Sequence, residues 1–239
     1  SGYRSKMACE ILANYSFQKV YSMLDGMLAW EGAGYPVYIR YSSIQEAINN
    51  ATDGDSLRVS SGTYYEHVVI NKTISLMGED PETTVIDGNG TQTVLMIPNH
   101  HVNITGFTIQ NGTEGVYLAV DADSCIITGC KIINNDRGIF VWSNDNLLNK
   151  NMIVNNSDSG IKIYAACGHC SPVLRNIVTE NRLSNNYYGI HLTNSGEALV
   201  FHNDFINNTY QVSTYGSHTS WDDGYPSGGN YWSDHRGVD

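Results

Sequence analysis

Apolar residues recur along this chain at a fixed long interval. Five segments superimpose: FTIQN at 107–111, CKIIN at 130–134, NMIVN at 151–155, NRLSN at 181–185 and NDFIN at 203–207. Their central residues are Ile109, Ile132, Ile153, Leu183 and Phe205, at steps of 23, 21, 30 and 22. Successive side chains of a strand point to opposite faces, so the central residues of the five segments share one face. The first four are followed by a glycine and a second alternation: GVYL at 115–118, GIFV at 138–141, GIKI at 160–163 and GIHL at 189–192. The fifth, YQVS at 210–213, lacks the glycine.

A unit this short cannot bury its apolar face alone. Like units stacked about 4.8 Å apart bury it against the coils above and below. Three short strands and three turns fit in about 22 residues. A leucine-rich repeat would need a fixed leucine pattern that is absent, and a propeller blade about 40 residues. The pattern therefore predicts an all-β domain, a right-handed parallel β-helix over 41–239 with regular coils at about 56–212. Ile109, Ile132, Ile153, Leu183 and Phe205 should form one interior file.

Two asparagine columns accompany the repeat, Asn151, Asn181 and Asn203 in one, and Asn111, Asn134, Asn155, Asn185 and Asn207 in the other. Asparagine tolerates left-handed turns, and its amide can bond the equivalent amide one coil away. Both columns are expected at bends, with the amide ladder strongest in the first. These asparagines contribute to eight Asn-x-Ser/Thr sequons, at Asn14, Asn50, Asn71, Asn89, Asn103, Asn111, Asn155 and Asn207. An open solenoid end needs a cap. Residues 43–51 supply one: Ser43 and Glu46 form a capping box, and Ile44, Ala47, Ile48 and Ala51 an apolar stripe.

Charge narrows the partners. The 239 residues carry 13 basic and 24 acidic side chains, a net charge of −11, which repels phosphate backbones and disfavours nucleic acid. No run is apolar enough to span a bilayer, and the first residues do not read as an export signal. Five cysteines are too few for a disulfide-built scaffold of this length.

Two ends of the repeat region resemble known solenoids. IQEAI at 44–48, Gly54-Asp55, Gly62–Tyr64, Glu66, INK at 70–72, LMGE at 76–79 and VIDG at 85–88 are similar to the cap and first coils of pectin-lyase-like β-helix proteins. The closing motif at 221–234, WDDGYPSGGNYWSD, resembles that of microbial NosD-type β-helix proteins. That resemblance implies an extracytoplasmic protein, periplasmic or at the cell surface, with copper handling in the NosD type itself and sugar binding or hydrolysis among related solenoids.

Residues 1–40 read differently. SGYRS at 1–5, LDGMLAW at 24–30 and GYPV at 34–37 resemble the closing part of a rhodanese domain, a small α/β remnant. The resemblance places Gly2, Arg4 and Ser5 in the anion-cradling loop. Its nucleophilic cysteine would precede Ser1, so sulfurtransferase activity is not expected of these residues.

Candidate chemistry is sparse. Cys167, His169 and Cys170 lie in an insertion, 165–172, that accounts for the step of 30, and two thiolates with an imidazole suit copper or zinc. Cys125 and Cys130 align with Val102 and Phe107 and are expected in the core. Sugar cleavage needs two carboxylates about 5–9.5 Å apart; Asp121, Asp123, Asp136 and Asp158 are the weak candidates. Trp142, Tyr187 and Tyr188 are candidates for stacking on sugar rings. The expected function is non-catalytic recognition of carbohydrate or protein outside the cytoplasm. The alternatives are a copper-binding accessory protein and a polysaccharide lyase or hydrolase.

Overall fold

A computed structural model describes residues 41–165, 173–224 and 226–234. The rhodanese-like reading of 1–40, with Gly2, Arg4 and Ser5, lies outside them, as do Cys167, His169 and Cys170. Among the described residues, twenty-three short strands form three parallel sheets of eight, eight and seven strands, successive strands going to each sheet in turn. This is the parallel β-helix the repeat predicts. In the second sheet Ile109 pairs with Ile132, Ile132 with Ile153, Ile153 with Leu183 and Leu183 with Phe205. All five are fully buried. Each interior Ile or Leu stabilises the stack by roughly 1.5–3 kcal/mol through burial.

Polar ladders hold the corners. Between the first and second sheets, Asn151, Asn181 and Asn203 stack as expected and Asn230 of the closing motif extends the series. The amide oxygens of Asn181, Asn203 and Asn230 each accept from both the backbone N–H and the amide nitrogen of the asparagine one coil before, at 3.0 Å throughout, and that of Asn151 accepts from the Cys130 N–H. The step of 30 residues from Asn151 to Asn181 keeps the same bond lengths as the step of 22 from Asn181 to Asn203.

The second column differs from expectation. Asn111, Asn134, Asn155, Asn185 and Asn207 do not stack through their amides; they occupy the left-handed turn, with φ between 53° and 58°. Their successors Asn135, Asn156, Asn186 and Asn208 are buried and make the ladder there, at 2.9–3.3 Å. The third corner repeats the scheme with Asn146 and Asn176, the backbone N–H of one donating to the amide oxygen of the next at 3.0 Å. The rule at each corner is one left-handed residue, then an inward polar one. Buried asparagines so placed keep their hydrogen bonds without water.

The helix Ile44–Asn50 (α1) caps the first coil with Ile44 and Ile48 buried. Ser43 accepts from the Glu46 N–H as predicted, but the Glu46 carboxylate turns back to the Ser42 N–H, at 2.8 Å, one residue earlier than a capping box requires. Both helix ends are tied to the coil beneath. Glu66 accepts from the Ile44 and Gln45 N–H groups at 3.0 Å each, and Lys72 donates to the Ile48 and Asn49 carbonyls at 2.9 and 2.8 Å. An anion at the start and a cation at the end match the helix dipole. At the other end Trp232 pairs with Phe205 and stacks on it at 4.5 Å, so the closing motif continues the interior file.

Candidate functional site

The third sheet offers the broadest outer face. From the third coil onward its strands, Glu114–Leu118, Arg137–Val141, Ser159–Tyr164, Tyr188–Thr193 and Tyr210–Tyr215, have five or six residues. Alternation turns Val116, Leu118, Ile139 and Val141 inward and leaves Tyr117 and Phe140 outward. Register then sets one outward file: Met96, Tyr117, Phe140, Lys162, His191 and Ser213.

Parallel stacking brings the rings into contact. Tyr117 and Phe140 lie face to face at 5.1 Å, close to the strand spacing itself. Trp142 and Tyr164 complete the group, each 6.4 Å from Phe140 and 6.0 Å from one another. Arg137 sits 4.9 Å over the Phe140 ring. A second group follows on later coils: Tyr188 stacks on Tyr210 at 5.4 Å, with Tyr187 edge-on to both. His191 lies 4.9 Å from Tyr188.

The charges on this face are largely paired among themselves. Arg137 bonds Glu114, and Lys162 stands 3.7 Å from Asp158. Burial, then the Lys162 ammonium, push the His191 imidazole below its usual range against the opposing pull of Asp158, so it is neutral at pH 7. Burial, helped by Glu114, raises the Tyr117 phenol. The face is thus aromatic and close to neutral. Beside it lie an open cleft of about 310 Å³, lined by Tyr65, Asp87, Asn89, Asn111, Thr113 and Asp136 among others, and a second hollow that includes Thr113 and Met96.

Of the residues singled out from sequence, Trp142 joins the first aromatic group and Tyr187 and Tyr188 the second. The four aspartates divide. Asp136 and Asp158 stack at the corner entering the third sheet, joined by a 2.7 Å bond from the Asp158 N–H to the Asp136 carbonyl. Asp121 and Asp123 follow the strand Glu114–Leu118, at the opposite corner. A five-residue strand spans about 16 Å, so the two pairs stand farther from each other than glycoside hydrolysis uses, while Asp136 and Asp158 are only one coil apart. Asp123 also serves the frame, accepting from the Asn144 N–H at 2.7 Å. Tyr65 and Tyr210 were missed. For Tyr210 a signal existed, since counting one coil on from Tyr188 reaches it.

Cys125 and Cys130 are buried, and burial pushes both thiols up to about 11. They should react with a thiol-alkylating reagent at pH 7.5 only after denaturation, as seen by mass spectrometry of each tryptic peptide. Rapid labelling of the folded chain at either would contradict the packing. Among the described residues no three His, Cys, Asp or Glu side chains gather as a metal-binding group, and no helix is long and apolar enough to cross a membrane.

Comparison with known proteins places this geometry. A cell surface glycoprotein of Methanothermus fervidus is 32% identical over 98 residues, which are 40% of this chain and 15% of that protein. The alginate lyase from Paenibacillus sp. str. FPU-7 superposes with a TM-score of 0.55 over 79% of this chain and 94% of that one. The PL6 family alginate lyase AlyGC gives 0.61 over 73% of this chain and 29% of that one. Both are 16% identical to this chain, so the likeness concerns fold. A sequence model of one family extends over residues 18–237 and takes in every coil. On that match the chain belongs to the NosD family, described as periplasmic copper-binding protein.

Proposed function

We propose that this chain is a non-catalytic, extracytoplasmic β-helix protein that recognises carbohydrate along the outer face of its third sheet. The observation that carries this reading is the aromatic group of Tyr117, Phe140, Trp142 and Tyr164. Rings held in register along a rigid axis match the apolar faces of successive sugar units. The paired charges favour neutral sugars over polyuronates, as does the net charge of −11. The cell-surface naming of the M. fervidus relative supports display outside the cytoplasm.

The test is binding of the chain to a panel of neutral and acidic polysaccharides, by affinity electrophoresis and calorimetry. Phe140→Ala and Trp142→Ala should each weaken binding about 3–10-fold, the equivalent of about 0.5–1.5 kcal/mol per ring. Phe140 faces outward, so its variant should leave circular dichroism unchanged; Trp142 also packs against the core, so its variant is compared by thermal melting as well. Failure to bind any polysaccharide, or full affinity in both variants, would defeat the proposal and leave a protein ligand as the reading to pursue.

The family description favours a second reading, copper handling. Its donors would be Cys167, His169 and Cys170. Stoichiometric Cu(I) uptake lost in a Cys167→Ser, Cys170→Ser variant supports it. Release of reducing ends or unsaturated uronides from pectin, alginate or polygalacturonate would instead indicate an enzyme.

A further inference from the structure

Seven of the eight sequons fall among the described residues, and their side chains are not equivalent. The amide nitrogen of Asn50 donates to the Glu46 carbonyl at 2.8 Å, that of Asn103 to Ser75 Oγ at 3.2 Å, and that of Asn111 to Asp87 Oδ2 at 2.9 Å. Asn155 and Asn207 are exposed. Only their backbone N–H groups are engaged, by the Ser184 carbonyl at 3.2 Å and Ser233 Oγ at 3.0 Å.

Both stand in the left-handed column at the corner between the second and third sheets, with φ of 58° and 53°. Their successors Asn156 and Asn208 point inward and hold the ladder, so the outward asparagine can be altered without touching it. The column has asparagine on five coils, but a serine or threonine two residues later on only three: Thr113, Ser157 and Thr209. Asp136 and Tyr187 occupy that place on the coils between. The acceptor pattern therefore recurs on alternate coils, roughly 10 Å apart, and Asn111 alone of the three has its amide tied up. Asn71 and Asn89 are exposed sequons outside this column.

We propose that Asn155 and Asn207 are attachment sites for N-linked glycans. The donor class is an oligosaccharide carried through C1 on a lipid phosphate or diphosphate, and a separate transferase supplies the catalysis. The asparagine Nδ2 forms a bond to C1 and loses one proton. The C1–O bond breaks, and its electron pair leaves with the lipid phosphate. Ser157 and Thr209, both exposed, provide the hydroxyl the acceptor sequence needs. A glycan on a buried amide such as Asn156 would stop the coils closing, whereas one on Asn155 stands off the corner. This inference rests on export from the cytoplasm and is independent of what the aromatic face binds.

The experiment is peptide mass mapping of the full chain, exported in a host that carries such a transferase and fused to a flexible tail with one control sequon. Glycan is expected on the peptides carrying Asn155 and Asn207, lost singly in Asn155→Gln and Asn207→Gln, with Asn111 bare. Asp136→Thr completes a sequon at Asn134 in the same column and should add one further glycan to the intact mass. The proposal is overturned if the tail is modified while Asn155 and Asn207 are not, or if Asn111 is modified in their place.

Discussion

Asn181→Ala is expected to lower the unfolding free energy by about 3–5 kcal/mol. The side chain is buried, and its amide nitrogen donates to Asn203 Oδ1 at 3.0 Å and to the Leu148 carbonyl at 2.8 Å. Its oxygen accepts from the Asn151 backbone and side chain, both at 3.0 Å. Alanine strands partners on two neighbouring coils where water cannot reach them, and each costs about 1–3 kcal/mol. Asn185→Ala removes an exposed turn residue and should cost only about 1 kcal/mol, the preference for asparagine in the left-handed region. Urea denaturation of both variants, with slope as well as midpoint compared, makes the measurement. Equal midpoints would show that the ladder does not hold the corner.

Gly138→Ala should destabilise the chain by about 3 kcal/mol or more, at the upper end for added bulk in a packed interior. A methyl group there would lie 2.4 Å from the Gly160 carbonyl oxygen and 2.9 Å from the Ile153 side chain. The first contact is with backbone, so relief requires one coil to lift from the next. Gly115, Gly160 and Gly189 meet the following coil in the same way, at 2.5–2.7 Å from a carbonyl oxygen. Gly54→Ala is the comparison. It has a φ of +93° but open space around it, so it carries only the conformational cost, about 1–2 kcal/mol. If the two variants melt together, crowding is not why the repeat keeps its glycine.

These two expectations also mark what a reader of the sequence can see. The glycine and the interior file from Ile109 to Phe205 were legible because like residues lie on like residues, so the period in sequence is the contact in space. The doublets were legible only in part. Either asparagine of Asn155-Asn156 could have been the inward one, and the choice is made by which residue takes the left-handed turn. Nothing in two identical neighbours marks that. Asn151 was easier, because the residue before it is Lys150, which leaves no rival amide. The aromatic face was readable as a column, with Tyr117 and Phe140 separated by the same 23 residues as Ile109 and Ile132. Its electrostatic neutrality was not, since the pairings of Arg137 with Glu114 and Lys162 with Asp158 depend on side-chain reach. The cleft beside Tyr65 draws on turns from different coils, which periodicity alone does not bring together.

The ladder from Asn151 to Asn181 closes over 30 residues with the geometry that Asn181 to Asn203 achieves over 22. Surplus chain after Tyr164 therefore leaves the asparagine ladder undisturbed, and that corner can serve as a splice point for inserted sequence. A foreign epitope or enzyme loop grafted there would be carried on a rigid rod while the rod's own melting behaviour stayed unchanged. A single residue inserted within a strand such as Met152–Val154 would instead turn the inward side chains that follow it in that strand to the outside.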